Sequence, residues 1–211
     1  MVIDTPVVRA LIKGVAPVAA GLSGIFAQSN LTLSLLLLSV AVADVVVDYF
    51  ISHRLTTLVL ERISGILEAT YHCCVFPEGS DVRATVFASV RGGFLHQICP
   101  YYPTDKHSSY RRGIAVSKGI VGLCFRSGQS CVEVIGNPAT FKKHMVDRWG
   151  FTVEEVDRMK ARQSYFAIPI FDANRNAVGV AYFDSMRADA FAAESVDVLT
   201  KACVPLSKWV R

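Results

Sequence analysis

Two nearly charge-free stretches near the amino terminus restrict this chain more than any other feature. Residues 14–27 read GVAPVAAGLSGIFA, without a charge, and residues 31–51 read LTLSLLLLSVAVADVVVDYFI, with Asp44 and Asp48 as the only charged side chains. At about 1.5 Å per helical residue, roughly 20 residues cross a hydrocarbon core. The second stretch has that length. The first reaches it only if Val7 to Lys13 join, with Arg9 and Lys13 reaching back to the surface. Gln28-Ser29-Asn30 makes a short polar turn between them. The expectation is a membrane hairpin over residues 1–52, with antiparallel helices at about 8–27 and 31–51. Ala16, Ala20 and Gly24 repeat every four residues, a small-residue face that lets two membrane helices approach closely.

The flanks orient the hairpin. Arg9 and Lys13 lie at one end, and His53, Arg54 and Arg62 at the other. Basic residues favour the cytoplasmic side, so both ends face inward and the turn faces outward. This predicts a multi-pass protein of the cell inner (plasma) membrane, with the lipid bilayer as a partner and the rest of the chain cytoplasmic. A rival reading makes the first stretch a secretory signal cut after Ala27-Gln28-Ser29, with the second stretch still anchoring the product. Asp44 and Asp48 are four apart and share a helical face. A carboxylate inside a bilayer marks a functional site by default. The plainer reading puts Asp48 at the headgroups and Asp44 against the first helix or a partner chain.

Beyond residue 51, Leu55, Leu58, Val59, Ile63, Ile66 and Leu67 recur at spacings of three and four, the period of a helix. No turn signal separates Tyr49 from Tyr71, so the second membrane helix continues as a stalk or signalling helix over 53–72. Its stripe either forms a dimer seam or packs on its own domain.

The remaining sequence carries the ordinary features of a globular domain. The whole chain is 52% hydrophobic and 19% charged, with a mean hydropathy of +0.37. That excludes a disordered chain, which needs low hydrophobicity and high charge. A net charge of +4 is too small to argue for nucleic acid. RATVFASV (83–90), an Arg-Gly-Gly turn and FLHQIC (94–99) read as a hairpin. KGIVGLCFRSGQ (118–129) reads as a short helix entered and left through glycines, and SCVEVI (130–135) as a strand. Residues 138–160 read as helical in two pieces around Gly150, with Thr152 and Glu155 as a capping box. SYFAIPIF (164–171) and AVGVAYFD (177–184) are strands joined by the turn-rich DANRN. A last helix carries Val196, Leu199, Cys203, Leu206 and Val210, with a kink at Pro205. Pro100 to Gly113 is a polar, aromatic and basic loop. This order predicts one sheet with helices mainly on one face.

Over residues 60–211 the chain resembles the GAF domains. The resemblance rests on KGIVGLCFRSGQSCVEV (118–134) and on the late hairpin SYFAIPIFDANRNAVGVAYFDS (164–185). It implies an α+β fold, a central antiparallel sheet flanked by helices, here preceded by the transmembrane hairpin and stalk. It leaves the ligand open, because GAF domains bind cyclic nucleotides, bilins, haem, amino acids or nothing. It implies a sensor or regulator rather than an enzyme. With the last residue at Arg211, the expectation is that no output domain follows and that signalling passes to a separate partner or back to the membrane helices. A ligand-gated membrane effector is the alternative, motivated by Asp44 and Asp48.

In the family, the loop after the second strand and the following helix cover the pocket. The ligand-binding candidates are Tyr101, Tyr102, Arg111, Arg112 and Phe125, which suit a small anionic, nucleotide-like ligand: rings stack on bases and arginine pairs with phosphate. The plain reading is a solvated basic loop. Both the stalk and the last helix carry stripes free to pair in a homodimer. Six cysteines are present, without a CxxC or a zinc spacing, so no metal site is expected. Cys99, Cys124 and Cys131 are the redox candidates; the plain reading makes most of the six small buried hydrophobes. A thiol enzyme of this type, free methionine sulfoxide reductase, has a reactive cysteine just before the late hairpin. Here MKARQSYFAIP (159–169) has none. His96 on the second strand reads as a core residue, with haem ligation as the alternative.

Overall fold

The structure is a computed structural model that describes residues 31–90, 92–103, 113–135 and 137–210, with side chains of the first helix given only at 38–42 and from Thr57 onward. The first membrane helix expected at about 8–27, and the side chains of Asp44 and Asp48, lie outside the described residues. Among the described residues no helix is long and apolar enough to cross a membrane. Helix α1 runs unbroken over Leu31–His72. Contacts divide the chain into residues 1–58 and a second unit, 59–211, which holds the sheet and the site.

Six strands of that unit form one antiparallel sheet: β1 Arg83–Val90, β2 Phe94–Gln97, β3 Gly113–Ala115, β4 Cys131–Val134, β5 Ser164–Phe171 and β6 Ala177–Ser185. Their order is β3-β2-β1-β6-β5-β4, so the first and last strands meet at the centre. The helices are α2 Gly119–Ser127, α3 Pro138–Asp147, α4 Val153–Val156 and α5 Ala193–Ala202, followed by a 3-10 turn at Val204–Lys208. Local chemistry sets the boundaries. Gly128 ends α2 in the left-handed conformation, with its N–H donating to the Cys124 carbonyl. The Asn137 side chain accepts from Ala139 N at the start of α3, where Pro138 needs no partner. Thr152 and Glu155 form the capping box of α4. Pro205 stops α5 as a regular helix, and the chain tightens into the 3-10 turn.

Helices cover both faces of the sheet, not mainly one. The reason is legible in β5, where nearly every residue is buried rather than every second one, so each face needs a cover. On one face Ala84, Val86, Phe166, Ile168, Ala181 and Phe183 pack against Ile63 and Leu67 of α1 and against Leu199, Cys203 and Leu206. On the other, Phe87, Tyr165, Ala167 and Val180 pack against Ile120, Val121 and Cys124 of α2 and Phe141 and Met145 of α3. Part of the apolar stripes read as free to pair in a dimer is used within the domain: Ile63, Leu67, Leu199 and Leu206 are at most 1% exposed, whereas Leu58 is exposed. His96 is an exposed residue of β2 rather than a core one, because its strand alternates and Leu95 and Gln97 take the inward positions. β3, within and beyond the end of the segment read as a loop, is a short edge strand on β2, with Leu95 opposite Ile114.

Gly179 shows how close the layers are. A Cβ there would stand 2.5 Å from the Phe87 carbonyl oxygen and 2.8 Å from Val210 Cγ1, so only glycine lets β6 approach β1 at this point.

Candidate functional site

On the α2–α4 face the sheet does not meet its cover everywhere. A cavity of about 370 Å³ opens between them. The floor comes from inward positions of the strands: Arg83 and Phe87 of β1, Gln97 of β2, Tyr165 of β5, Tyr182 and Asp184 of β6. The cover is the first turn of α2 together with Met145, Trp149, Phe151, Glu155 and residues 158–160. The turn into α2 uses a left-handed Gly119, whose N–H donates to the Trp149 carbonyl at 2.9 Å. A side chain at Gly119 would press on the Phe151 ring at 3.1 Å.

The charged groups of the floor form one cluster. Arg83 is held two-pronged by Asp184, Nε to Oδ1 at 3.0 Å and Nη2 to Oδ2 at 2.8 Å. Its guanidinium also lies over the Tyr101 ring, 4.3 Å from the centroid. Burial works against the charge on Arg83, but the hydrogen bonds and the charge of Asp184 outweigh it and hold its pKa above the usual arginine range. Arg162 reaches the same carboxylate from the other side, Nε to Oδ1 at 3.3 Å. Its Nη1 donates to the Asp81 carbonyl at 2.9 Å and to Asp81 Oδ2 at 2.7 Å. Tyr165 donates to the Arg162 carbonyl at 3.0 Å. Burial, and then the charge of Asp184, push the Tyr165 and Tyr182 hydroxyls well above the usual tyrosine range. Both therefore remain hydrogen-bond donors at neutral pH.

The upper wall carries a second ion pair. Lys118 Nζ lies 2.8 Å from both oxygens of Glu155. Glu155 also accepts from Thr152 N at 2.7 Å, so the same carboxylate caps α4 and fixes the lysine. Trp149 meets Tyr165 edge to face, with centroids 4.9 Å apart.

Of the residues singled out in the sequence, Tyr101 lines this cavity. Tyr102 does not: it turns to the opposite face, where its hydroxyl is 2.8 Å from His72 Nε2 and 3.3 Å from Glu68 Oε1 of α1. The extended backbone explains the split, since successive side chains alternate and Tyr102 bridges Ala84 of β1. Arg111 and Arg112 lie outside the described residues. Phe125 is half-buried against the neighbouring core and is not part of the wall. Neither Cys99, Cys124 nor Cys131 lines the cavity. Cys99 and Cys124 are buried and Cys131 is half-buried. Burial pushes all three thiols up, most strongly Cys124.

Arg83, Arg162 and Asp184 are the residues that sequence reading missed. The available signal was a charged residue at an inward position of an otherwise apolar strand, which a fold tolerates only with a partner. Arg83 opens RATVFASV, and Asp184 stands beside the buried Phe183.

No family model matches the chain, and no curated protein matches it. Solved structures do. It is similar to the type II free methionine-R-sulfoxide reductase of Thermoplasma acidophilum, with 14% identity and a TM-score of 0.53 over 74% of this chain and 94% of that one. It is also similar to the GAF domain of a two-component sensor histidine kinase from Bacillus halodurans, with 13% identity and a TM-score of 0.50 over 70% of this chain and 90% of that one. A third likeness is to the GAF domain of an Acinetobacter phosphoenolpyruvate-protein phosphotransferase, with 15% identity and a TM-score of 0.50 over 74% of this chain and 81% of that one. At these identities the likeness concerns the fold. Six antiparallel strands in this order, helices on both faces and a cavity under one cover agree with it: the chain carries a GAF-like fold.

Proposed function

We propose that this chain is a membrane-anchored sensor or regulatory protein. Its GAF-like domain binds a small molecule in the cavity and passes occupancy to the helix that leads back to the apolar amino-terminal segment. The observation that carries this reading is the pair Tyr101–Tyr102. One ring lies in the cavity wall against Arg83, and the next holds the carboxy-terminal turn of α1 through Glu68 and His72. Two consecutive residues of an extended segment bonded to β1 cannot move independently. A ligand that repositions Tyr101 therefore changes the hold of Tyr102 on α1. The shift is limited to the difference in the ligand's affinity for the two arrangements.

Two further features support the reading. The apolar runs at 14–27 and 31–51, with basic residues on the outer flanks, favour anchoring with the domain on the cytoplasmic side. Of the redox candidates, Cys99 and Cys124 are buried and their thiols are pushed up by that burial, which favours a packing role for them. A buried thiol with a raised pKa is a poor nucleophile.

The test has two parts. The full chain, expressed with a reporter after Arg211, is fractionated and washed with alkaline carbonate, and small molecules that copurify with it are identified by mass spectrometry. Recovery in the membrane with the reporter on the cytoplasmic side, together with a stoichiometric bound compound, is expected. Recovery in the soluble fraction would remove the anchor, and thiol-dependent turnover of methionine sulfoxide would replace the sensor with an enzyme.

A further inference from the structure

The geometry points to Arg162 as an anchor for an anionic group, and hence to a ligand with a flat apolar body carrying a carboxylate or phosphate at one end. This inference rests on the cavity being a ligand site.

Asp184 has two oxygens, and Arg83 takes both with good hydrogen bonds. Arg162 is left with its Nε 3.3 Å from Oδ1, an ion pair without a hydrogen bond, and that Nε is buried with no hydrogen-bond partner. Nη1 is satisfied by Asp81. Nη2 makes no hydrogen bond among the described residues. The Arg162 side chain is only 4% exposed, yet the residue lines the cavity. A buried guanidinium with an unmade edge is costly, because each unpaired donor forfeits its hydration. The Nε–Nη2 edge is the fork that matches two oxygens of a carboxylate or phosphate. A ligand anion meeting that fork would complete the cluster.

The charge around the cavity points the same way. Arg83 and Arg162 share Asp184, Lys118 is matched by Glu155, and Arg158 and Lys160 of the wall have no ion pair among the described residues. A cation excess in a partly closed cavity favours an anion over its neutral isostere. The walls supply the flat body: Tyr101, Trp149, Tyr165 and Tyr182 present ring faces and edges to the same space.

The experiment uses the purified full-length chain and three probes of one shape: 1-naphthoate, 1-naphthyl phosphate and neutral 1-naphthamide. Affinities are measured by ligand-observed NMR titration at neutral pH and matched ionic strength. The expected result is that at least one anion binds about 10-fold or more tightly than the amide, and the tighter of the two identifies the headgroup. Arg162→Gln should abolish that preference, and Arg162→Lys should retain only part of it. Equal binding of amide and anions overturns the inference and leaves the cavity as a ligand site. Binding of none of the three overturns the cavity reading and this inference with it. A preference that survives in folded Arg162→Gln overturns the assignment to Arg162. Should that variant not fold, the wild-type and Arg162→Lys comparisons decide the matter.

Discussion

Arg83 and Asp184 face each other directly across the β1–β6 ladder and are joined by two hydrogen bonds of 3.0 and 2.8 Å. Backbone register and side-chain chemistry therefore fix the same pair. Asp184 is 2% exposed and also neighbours Arg162. Removing its charge would leave two guanidiniums without their shared partner.

Asp184→Asn is accordingly expected to destabilise the domain by about 3–5 kcal/mol, the range for breaking a buried pair from one side. Urea unfolding followed by tryptophan fluorescence measures it. A loss under 1 kcal/mol would mean that water, not Asp184, compensates the arginines.

Alkaline pH should weaken the fold. Burial pushes the Cys203 thiol from 9.0 up to about 12. Between those values the unfolded chain has released this proton while the folded chain still holds it, so stability is full below pH 9 and falls as pH rises toward 12. One such group contributes a slope of up to about 1.4 kcal/mol per pH unit. Urea midpoints under reducing conditions should fall through this window, and less steeply in Cys203→Ala. Identical slopes in the two proteins would refute the assignment.

Gly179→Ala should cost about 1–3 kcal/mol by overpacking, since the new methyl group meets a backbone oxygen that cannot yield easily. A melting temperature equal to that of the wild type would show that β1 and β6 separate more readily than their register implies.

Tyr102→Ala should loosen the carboxy-terminal turn of α1 by removing its contacts with Glu68, Tyr71 and His72. Hydrogen exchange at residues 69–73 should accelerate, while exchange in β5 and β6 stays unchanged. Unaltered exchange at 69–73 would argue against coupling through this residue.

Thiol accessibility separates the cysteines without any ligand. Cys73 is exposed and should react with a maleimide at once, whereas Cys99, Cys124 and Cys203 are buried and should react only after denaturant is added. Mass spectrometry of timed digests reads the order. Early labelling of Cys124 would reopen a redox role for it.

Much of the fold could be read from local chemistry. β1 and β5 match their predicted spans because β-branched and aromatic runs are bounded by turn residues. The α4 capping box is a four-residue signal and needs no tertiary information. β3 could not be read this way: Gly113-Ile114-Ala115 is too short for a period, and only pairing with β2 makes it a strand. The second helical layer was also hidden, since a continuous apolar strand does not announce how many faces it buries. Tyr101 was legible from its aromatic, basic setting. Asp184 and Arg162 were not, because their meaning lies in partners about 80–100 positions away.

The central place of β1 and β6 in the sheet also governs when the site comes into being. Arg83 leaves the ribosome 101 residues before Asp184. At ordinary translation speeds that interval lasts roughly 5–20 s. Through it, β1 has only the β2 hairpin on one side and an unpaired edge on the other. The cavity floor is thus among the last parts of the domain to close, and the emerging chain passes through a stage in which α1 is already made while the two halves of the charged floor are still apart.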